Sequence, residues 1–386
     1  MVSDRVKNIT PSATLAIDSK AKQLKKEGKN VLNFGAREPD FNTPDNIKEA
    51  AKRAIDKNIT RYTPVGGIPE LRDAIAKKFR EVNKIKYDAS EVVVSAGGKH
   101  TLYNIAMTLL NEDDEVILPV PYWVSFEEII KLAGAKTVFC NTNKKFKLIA
   151  KDVEEKITNK TKMLILNSPS NPSGAIVDKN EIEKIAKLAV EHNFYVVADE
   201  VYEYFVYGNR ERASIASLNN EIKNLTVTAN SFSKTYAMTG WRVGYCGANK
   251  EIIKGIENLQ SHSTSNVSNI AQMAALEALN GPQDSVKEMI KAFDERRKFM
   301  HKRLNEMNGI SCVEPEGAFY AFPDISKTKM SSMEFASKLL EEALVAVVPG
   351  SAFGSDRHIR LSYAASMEDI KQGMDRMEKW VKGKIQ

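Results

Sequence analysis

Apolar and polar positions change period repeatedly along this chain. A basic stretch with helical spacing leads into Val31-Leu32-Asn33-Phe34-Gly35, a short apolar strand, and then into the polar, turn-rich Arg37-Glu38-Pro39-Asp40-Phe41. From about residue 45 helical and strand patterns alternate: a helix to Lys57, a Gly66-Gly67 turn, a helix through Phe79, then the buried strand Glu91–Ser95. That strand runs into Gly97-Gly98-Lys99, after which Leu102, Ile105, Ala106 and Leu109 recur at helical spacing. Apolar runs of strand length follow at 115–118, 136–140, 163–166, 194–198, 225–229 and 243–247, with a helix at 179–192 between two of them. Strands interleaved with helices predict a largely parallel or mixed sheet covered on both faces, a three-layer α/β/α core. Past Gly281-Pro282 the pattern becomes a long charged helix to about Asn308, a short strand, a helix at 333–342, a strand at 345–348 and a terminal helix.

A chain of 386 residues exceeds one ordinary core. We divide it into an N-terminal arm with part of a small domain (1–44), a large domain (45–281) and a C-terminal small α/β domain (282–386). Lys plus Arg (56) exceed Asp plus Glu (50) by only 6 and are interspersed, which gives no electrostatic case for nucleic acid. The charged first thirty residues hold no apolar leader core, and no run reaches the roughly 18 apolar residues a bilayer span needs, so no membrane partner is expected. Cys140, Cys246 and Cys312 stand far apart without a CxxC, against a disulfide framework or a structural zinc and in favour of the reducing cytoplasm.

In such sheets ligands collect beyond the carboxyl ends of the strands. Polar residues there include Asn171 in a Pro-rich turn, Asp199 and Tyr202 after a buried strand, and Ser231-Phe232-Ser233-Lys234 followed by Arg242. A lysine withdrawn from water has a lowered proton affinity and can form a Schiff base with an aldehyde such as pyridoxal phosphate. That cofactor needs an anion at its ring nitrogen, donors to its phenolate, an aromatic cover and a phosphate cradle. Asp199, then Tyr202 with Asn171, then Trp123, then the Gly98-Lys99 helix start with Ser231 and Arg242, answer those needs in turn. Singly, each has a plainer role: a solvated lysine, a capping aspartate, a core tryptophan, a turn asparagine, one end of a surface ion pair.

The ordered motifs as a set resemble the fold-type I, pyridoxal-phosphate-dependent aminotransferases of class I, near the bacterial and archaeal aspartate enzymes. They run from Pro11-Ser12-Ala13-Thr14 through Glu38-Pro39-Asp40-Phe41, Tyr62-Thr63-Pro64, Pro121-Tyr122-Trp123, Asn167 to Gly174, Asp199-Glu200-Val201-Tyr202, Ser231 to Lys234 and Met238 to Gly244, ending at Gly317-Ala318-Phe319-Tyr320 and Arg360-Leu361-Ser362. The resemblance implies that Lys234 holds the cofactor and moves the proton, and that Ser231, Ser233, Arg242 and Gly98-Lys99 hold the phosphate. It also implies that Tyr62 reaches across from the other subunit of a homodimer, that Arg360 forks the substrate α-carboxylate, with Trp123 and Asn171 touching the same substrate, and that the bonds before Pro121 and Pro172 are cis.

The implied reaction transfers an amino group, from aspartate first of all, to 2-oxoglutarate in two ping-pong half-reactions, with Lys99 meeting the side-chain carboxylate. Arg37 departs from the glycine usual before Glu-Pro-Asp-Phe; its side chain faces solvent or adds a second cation to the pocket. Thr10 stands where relatives that use prephenate carry a basic residue. Rival readings are an aminotransferase of aromatic, alanine or broad range, a lyase on the same scaffold, and a non-catalytic regulator.

Overall fold

A computed structural model describes residues 2–9, 13–208, 210 and 212–384. Thr10, Pro11 and Ser12, the start of the first motif, lie outside the described residues. The main sheet has seven strands. After β1 (Leu32–Asn33), which belongs elsewhere, come β2 (Val92–Ser95), β3 (Glu115–Val120), β4 (Lys136–Asn141), β5 (Thr161–Asn167), β6 (Tyr195–Asp199), β7 (Thr226–Ser231) and β8 (Gly244–Gly247). Their spatial order is β2-β8-β7-β6-β5-β3-β4, parallel from β7 through β4, with β8 antiparallel to both its neighbours.

Side-chain alternation along the strands feeds two cores. Val197, Ile165 and Val227 point to one face, against Ile105 of helix Gly98–Leu109 and Ile252 and Ile256 of helix Lys250–Ser261. Leu164, Leu166, Val196 and Ala198 point to the other, against Ile182 and Ile185 of helix Lys179–Glu191. Each fully buried Val, Leu or Ile contributes about 1.5–3 kcal/mol, so a sheet apolar on both faces is stable only with helices on both. The predicted three-layer mixed α/β core is what forms.

The remaining strands build a smaller unit. β9 (Tyr320–Ala321), β11 (Val348–Pro349) and β12 (Ile359–Ser362) form an antiparallel sheet, while β10 (Val345–Ala346) pairs in parallel with β1. The single strand expected at 345–348 is therefore two, because the chain changes sheet at Val347. Helices Asp284–Glu306, Ser332–Ala343 and Met367–Lys382 cover these strands around Phe293, Phe335, Leu361 and Met374. The bonds before Pro121 and Pro172 are cis as expected, and so is the one before Pro169.

Candidate active site

The parallel register sets Asn167 beside Asp199 and Asp199 beside Ala229, so β5 and β6 end at one level and β7 runs two residues farther, to Ser231. Just beyond lies a cavity of about 520 Å³, lined from these strand ends, from the Gly98-Lys99 helix start and from the 35–38 segment of the small unit. Lys234, Asp199, Tyr202 and Asn171 all line it, as do Trp123, Ser231, Ser233, Arg242 and Arg37. Tyr62 does not; it is 92% exposed.

Lys234 sits in helix Phe232–Thr235, which Ser231 caps, and its Nζ donates to the Arg37 carbonyl. Withdrawal from solvent lowers its pKa to about 8; Glu38 opposes this, while the cations Arg360, Arg37 and Arg242 reinforce it. The amine is thus a competent nucleophile near neutral pH. Asp199 ends a strand inside the fold, and burial pushes its carboxyl up to about 7 even though it accepts the Val201 N–H at 3.2 Å. A cationic ring nitrogen is the partner such a carboxylate needs.

Tyr202 is buried, and burial holds its hydroxyl well above the ordinary phenol range; that hydroxyl lies 2.8 Å from the Tyr320 hydroxyl. Asn171 is fixed from both sides: its N–H donates to Asn167 Oδ1 at 2.9 Å, and its own Oδ1 accepts from Arg360 Nη1 at 2.9 Å.

The phosphate cradle is legible in the glycines. Gly97, at φ +92, begins helix Gly98–Leu109, whose first N–H groups have no intrahelical partner. A Cβ on Gly97 would run into the Arg242 guanidinium, and one on Gly98 would lie 3.1 Å from Ser231 Cβ. Arg242, itself at φ +56, donates to the Thr239 carbonyl at 2.9 Å, and Ser231 Oγ lies 2.7 Å from Ser233 Oγ. Free N–H groups, a guanidinium and two hydroxyls in one concavity fit a dianionic phosphate.

Arg360 comes from the opposite wall. Ile359 and Leu361 enter the small-unit core, so alternation turns Arg360 away from it, toward the site. It is 1% exposed, its Cζ lies 4.4 Å from the Tyr320 ring, and its Nη2 reaches the Gly35 carbonyl at 3.3 Å. Its Nε has no hydrogen-bond partner among the described residues. A buried guanidinium with an unanswered N–H, beside a lowered-pKa lysine and a raised-pKa aspartate, fits a carboxylate ligand next to a pyridoxal ring.

The family description "Aminotransferase class I and II" matches residues 29–377. The chain belongs to the class I and II aminotransferases. It is a pyridoxal-phosphate-dependent aminotransferase, and the fit just described agrees with that cofactor. It is 47% identical to the aspartate aminotransferase of Bacillus sp. (strain YM-2), over 99% of each chain. It is 48% identical to a probable aspartate/prephenate aminotransferase of Aquifex aeolicus, over 98% of each. Among solved structures, the Thermus thermophilus aspartate aminotransferase with maleate superposes at a TM-score of 0.95, with 41% identity, over 98% of this chain and 99% of that one.

Three contacts of this aminotransferase site were not read from the sequence, although Tyr320, Glu38, Thr239 and Glu200 lie within its motifs. Tyr320 pairs with Tyr202, Thr239 Oγ1 donates to Glu38 Oε2 at 2.6 Å, and a buried ionic cluster lies behind Asp199. In that cluster Lys78 pairs with Glu203, Arg212 reaches Glu200 at 2.7 Å, and Asn230 donates to Glu203 at 2.7 Å. Asn83 joins both carboxylates from the π-helical turn Phe79–Asn83, and no signal in the sequence pointed to this cluster.

Proposed function

We propose that this aminotransferase moves the amino group of L-aspartate to 2-oxoglutarate, both acids using one site in turn, with ping-pong kinetics. The observation that carries this reading is a pair of cations near one cavity: Lys99 lines it, and Arg360 is hydrogen-bonded to Asn171, which lines it. Arg360 is buried behind Asn171, and Lys99 lies 5.1 Å from the Trp123 ring centroid, open to the cavity. A dicarboxylic acid answers both, whereas alanine or phenylalanine answers only Arg360. The names of the relatives point the same way.

Bound here, pyridoxal phosphate supplies an aldehyde to receive the amino group and a protonated ring that draws electrons from the substrate's α-carbon. Lys234 Nζ takes the α-proton and returns it, a role its lowered proton affinity supports. Asp199 holds the ring nitrogen protonated, Tyr202 and Asn171 donate to the phenolate, and Trp123 covers the ring. Gly98, Lys99, Ser231, Ser233 and Arg242 hold the phosphate. Arg360 fixes the α-carboxylate as a fork.

We further assign the protein to a cytoplasmic homodimer in which Tyr62 of one protomer reaches its partner's phosphate cradle; the outward position of this large aromatic supports that assembly. Three cysteines without a disulfide accord with the cytoplasm. We divide the chain into 1–44, an N-terminal arm and part of the small domain, 45–281, the large domain, and 282–386, the rest of the small domain, a division supported by the pairing of β1 with β10.

Oxaloacetate formation from aspartate with 2-oxoglutarate, measured beside phenylalanine, alanine and cystathionine, tests the reading. Pyruvate or ammonia from cystathionine, with no oxaloacetate from aspartate, would overturn it.

A further inference from the structure

We propose that Arg37 is a second specificity cation, sharing with Lys99 the distal carboxylate of a dicarboxylic substrate. This rests on the substrate reading above and deepens it. Arg37 lines the same cavity as Lys99 and Trp123, at its solvent-exposed rim. Its backbone is pinned from both halves of the site: the Arg37 carbonyl accepts Lys234 Nζ, and two residues earlier the Gly35 carbonyl accepts Arg360 Nη2 at 3.3 Å. Gly35 N–H is tied in turn to Asn33 Oδ1 at 2.8 Å, and Ser362 N–H to the Phe34 carbonyl at 2.7 Å. A side chain leaving so fixed a backbone starts between the amine and the α-carboxylate fork.

The guanidinium makes no ion pair or hydrogen bond among the described residues, although Glu38 is its chain neighbour; that carboxylate is engaged by Thr239. Of the charges around Lys99, Arg37 depresses its proton affinity the most, ahead of Arg242. Two cations that repel across an open cavity are relieved by an anion placed between them. The phosphate has its own cradle at Gly98, Ser231 and Arg242, and the α-carboxylate has Arg360 with Asn171. The distal carboxylate is the ligand left for Arg37, which offers a planar fork beside the point charge of Lys99.

The test uses the holoenzyme, R37Q and R37K. Two quantities are read: the ratio of kcat/KM for aspartate to that for alanine, and the affinity for maleate, a dicarboxylate that does not react, followed by the cofactor's visible absorption. R37Q is expected to lower both about tenfold, the low end for a charge-assisted contact at a wet rim, with R37K in between. Melting temperatures matching the parent's separate this from a packing defect. A ratio and a maleate affinity within twofold of the parent's would overturn the proposal while leaving aspartate as substrate. A parent inert toward aspartate would overturn the substrate reading, and this assignment with it, before any variant is made.

Discussion

Replacing Arg360 by lysine isolates what the buried guanidinium does. In the parent its Nη1 is held by Asn171 and its Nη2 by the Gly35 carbonyl, while Nε is unanswered in a site 1% exposed. A substrate α-carboxylate satisfies that N–H and gains a second charge-assisted bond. Each such bond contributes about 1.5–3 kcal/mol. Because the two share one ligand and are not additive, we take about 3 kcal/mol, on the order of a hundredfold in Kd. Lysine keeps the charge but cannot fork, and its shorter donor set loses the Asn171 bond. Titrating the holoenzyme's visible absorption with aspartate measures substrate affinity, and equilibrium dialysis against pyridoxal phosphate measures cofactor affinity. Aspartate binding is expected to weaken about a hundredfold with cofactor affinity unchanged. Weakening of less than threefold, or an equal loss of both affinities, would refute the assignment of Arg360 to the α-carboxylate.

Lys234→Ala is expected to abolish transamination and the aspartate-induced change in visible absorption; a variant that still turns over would remove the lysine from the chemistry. In cofactor-free protein the Asp199 carboxyl, raised from 3.8 to about 7, binds protons more readily folded than unfolded, so its effect on stability worsens as pH rises from about 4 to about 7. Cofactor-free Asp199→Asn should therefore exceed the parent in stability at pH 8 and lose on the order of 2–3 kcal/mol of that advantage at pH 5, by urea unfolding; a difference independent of pH would contradict this. Lys78→Met removes the lysine from the buried Glu203 carboxylate, which keeps Arg212 at 3.3 Å and the Asn83 and Asn230 amides, and is expected to cost about 3 kcal/mol. Urea unfolding that shows a loss below about 1 kcal/mol would show that the remaining partners satisfy the carboxylate without the lysine.

The main sheet was legible because β5 and β6 are apolar runs, β7 carries Val227 and Ala229 between polar residues, and each strand ends in a polar residue. Asp199, Ser231 and Lys234 follow directly from that pattern, whereas Arg360 came only with the family resemblance, because the four-residue strand Ile359–Ser362 that carries it is too short to leave a period. What could not be read depends on contacts between distant segments. The Tyr202–Tyr320 pair joins β6's exit to β9, and the Glu38–Thr239 bond joins the two halves of the cavity; neither leaves a periodic trace. The split of 345–348 into two strands was hidden because Val345, Val347 and Val348 look like one apolar run, and only their partners, β1 and β12, distinguish them. Lys78 and Asn83 were not singled out, because the π-helical turn that follows Lys78 and carries Asn83 inward is a matter of packing, not of propensity.

Gly35 and Arg360 meet although 325 positions separate them, and among the described residues β1 pairs only with β10. On a ribosome the early segment must therefore wait, unpaired, until almost the entire polypeptide has emerged. The half that grips vitamin B6 can assemble first, whereas the half that selects the acid is finished last, so a prematurely terminated product is expected to bind the coenzyme and remain blind to its substrates.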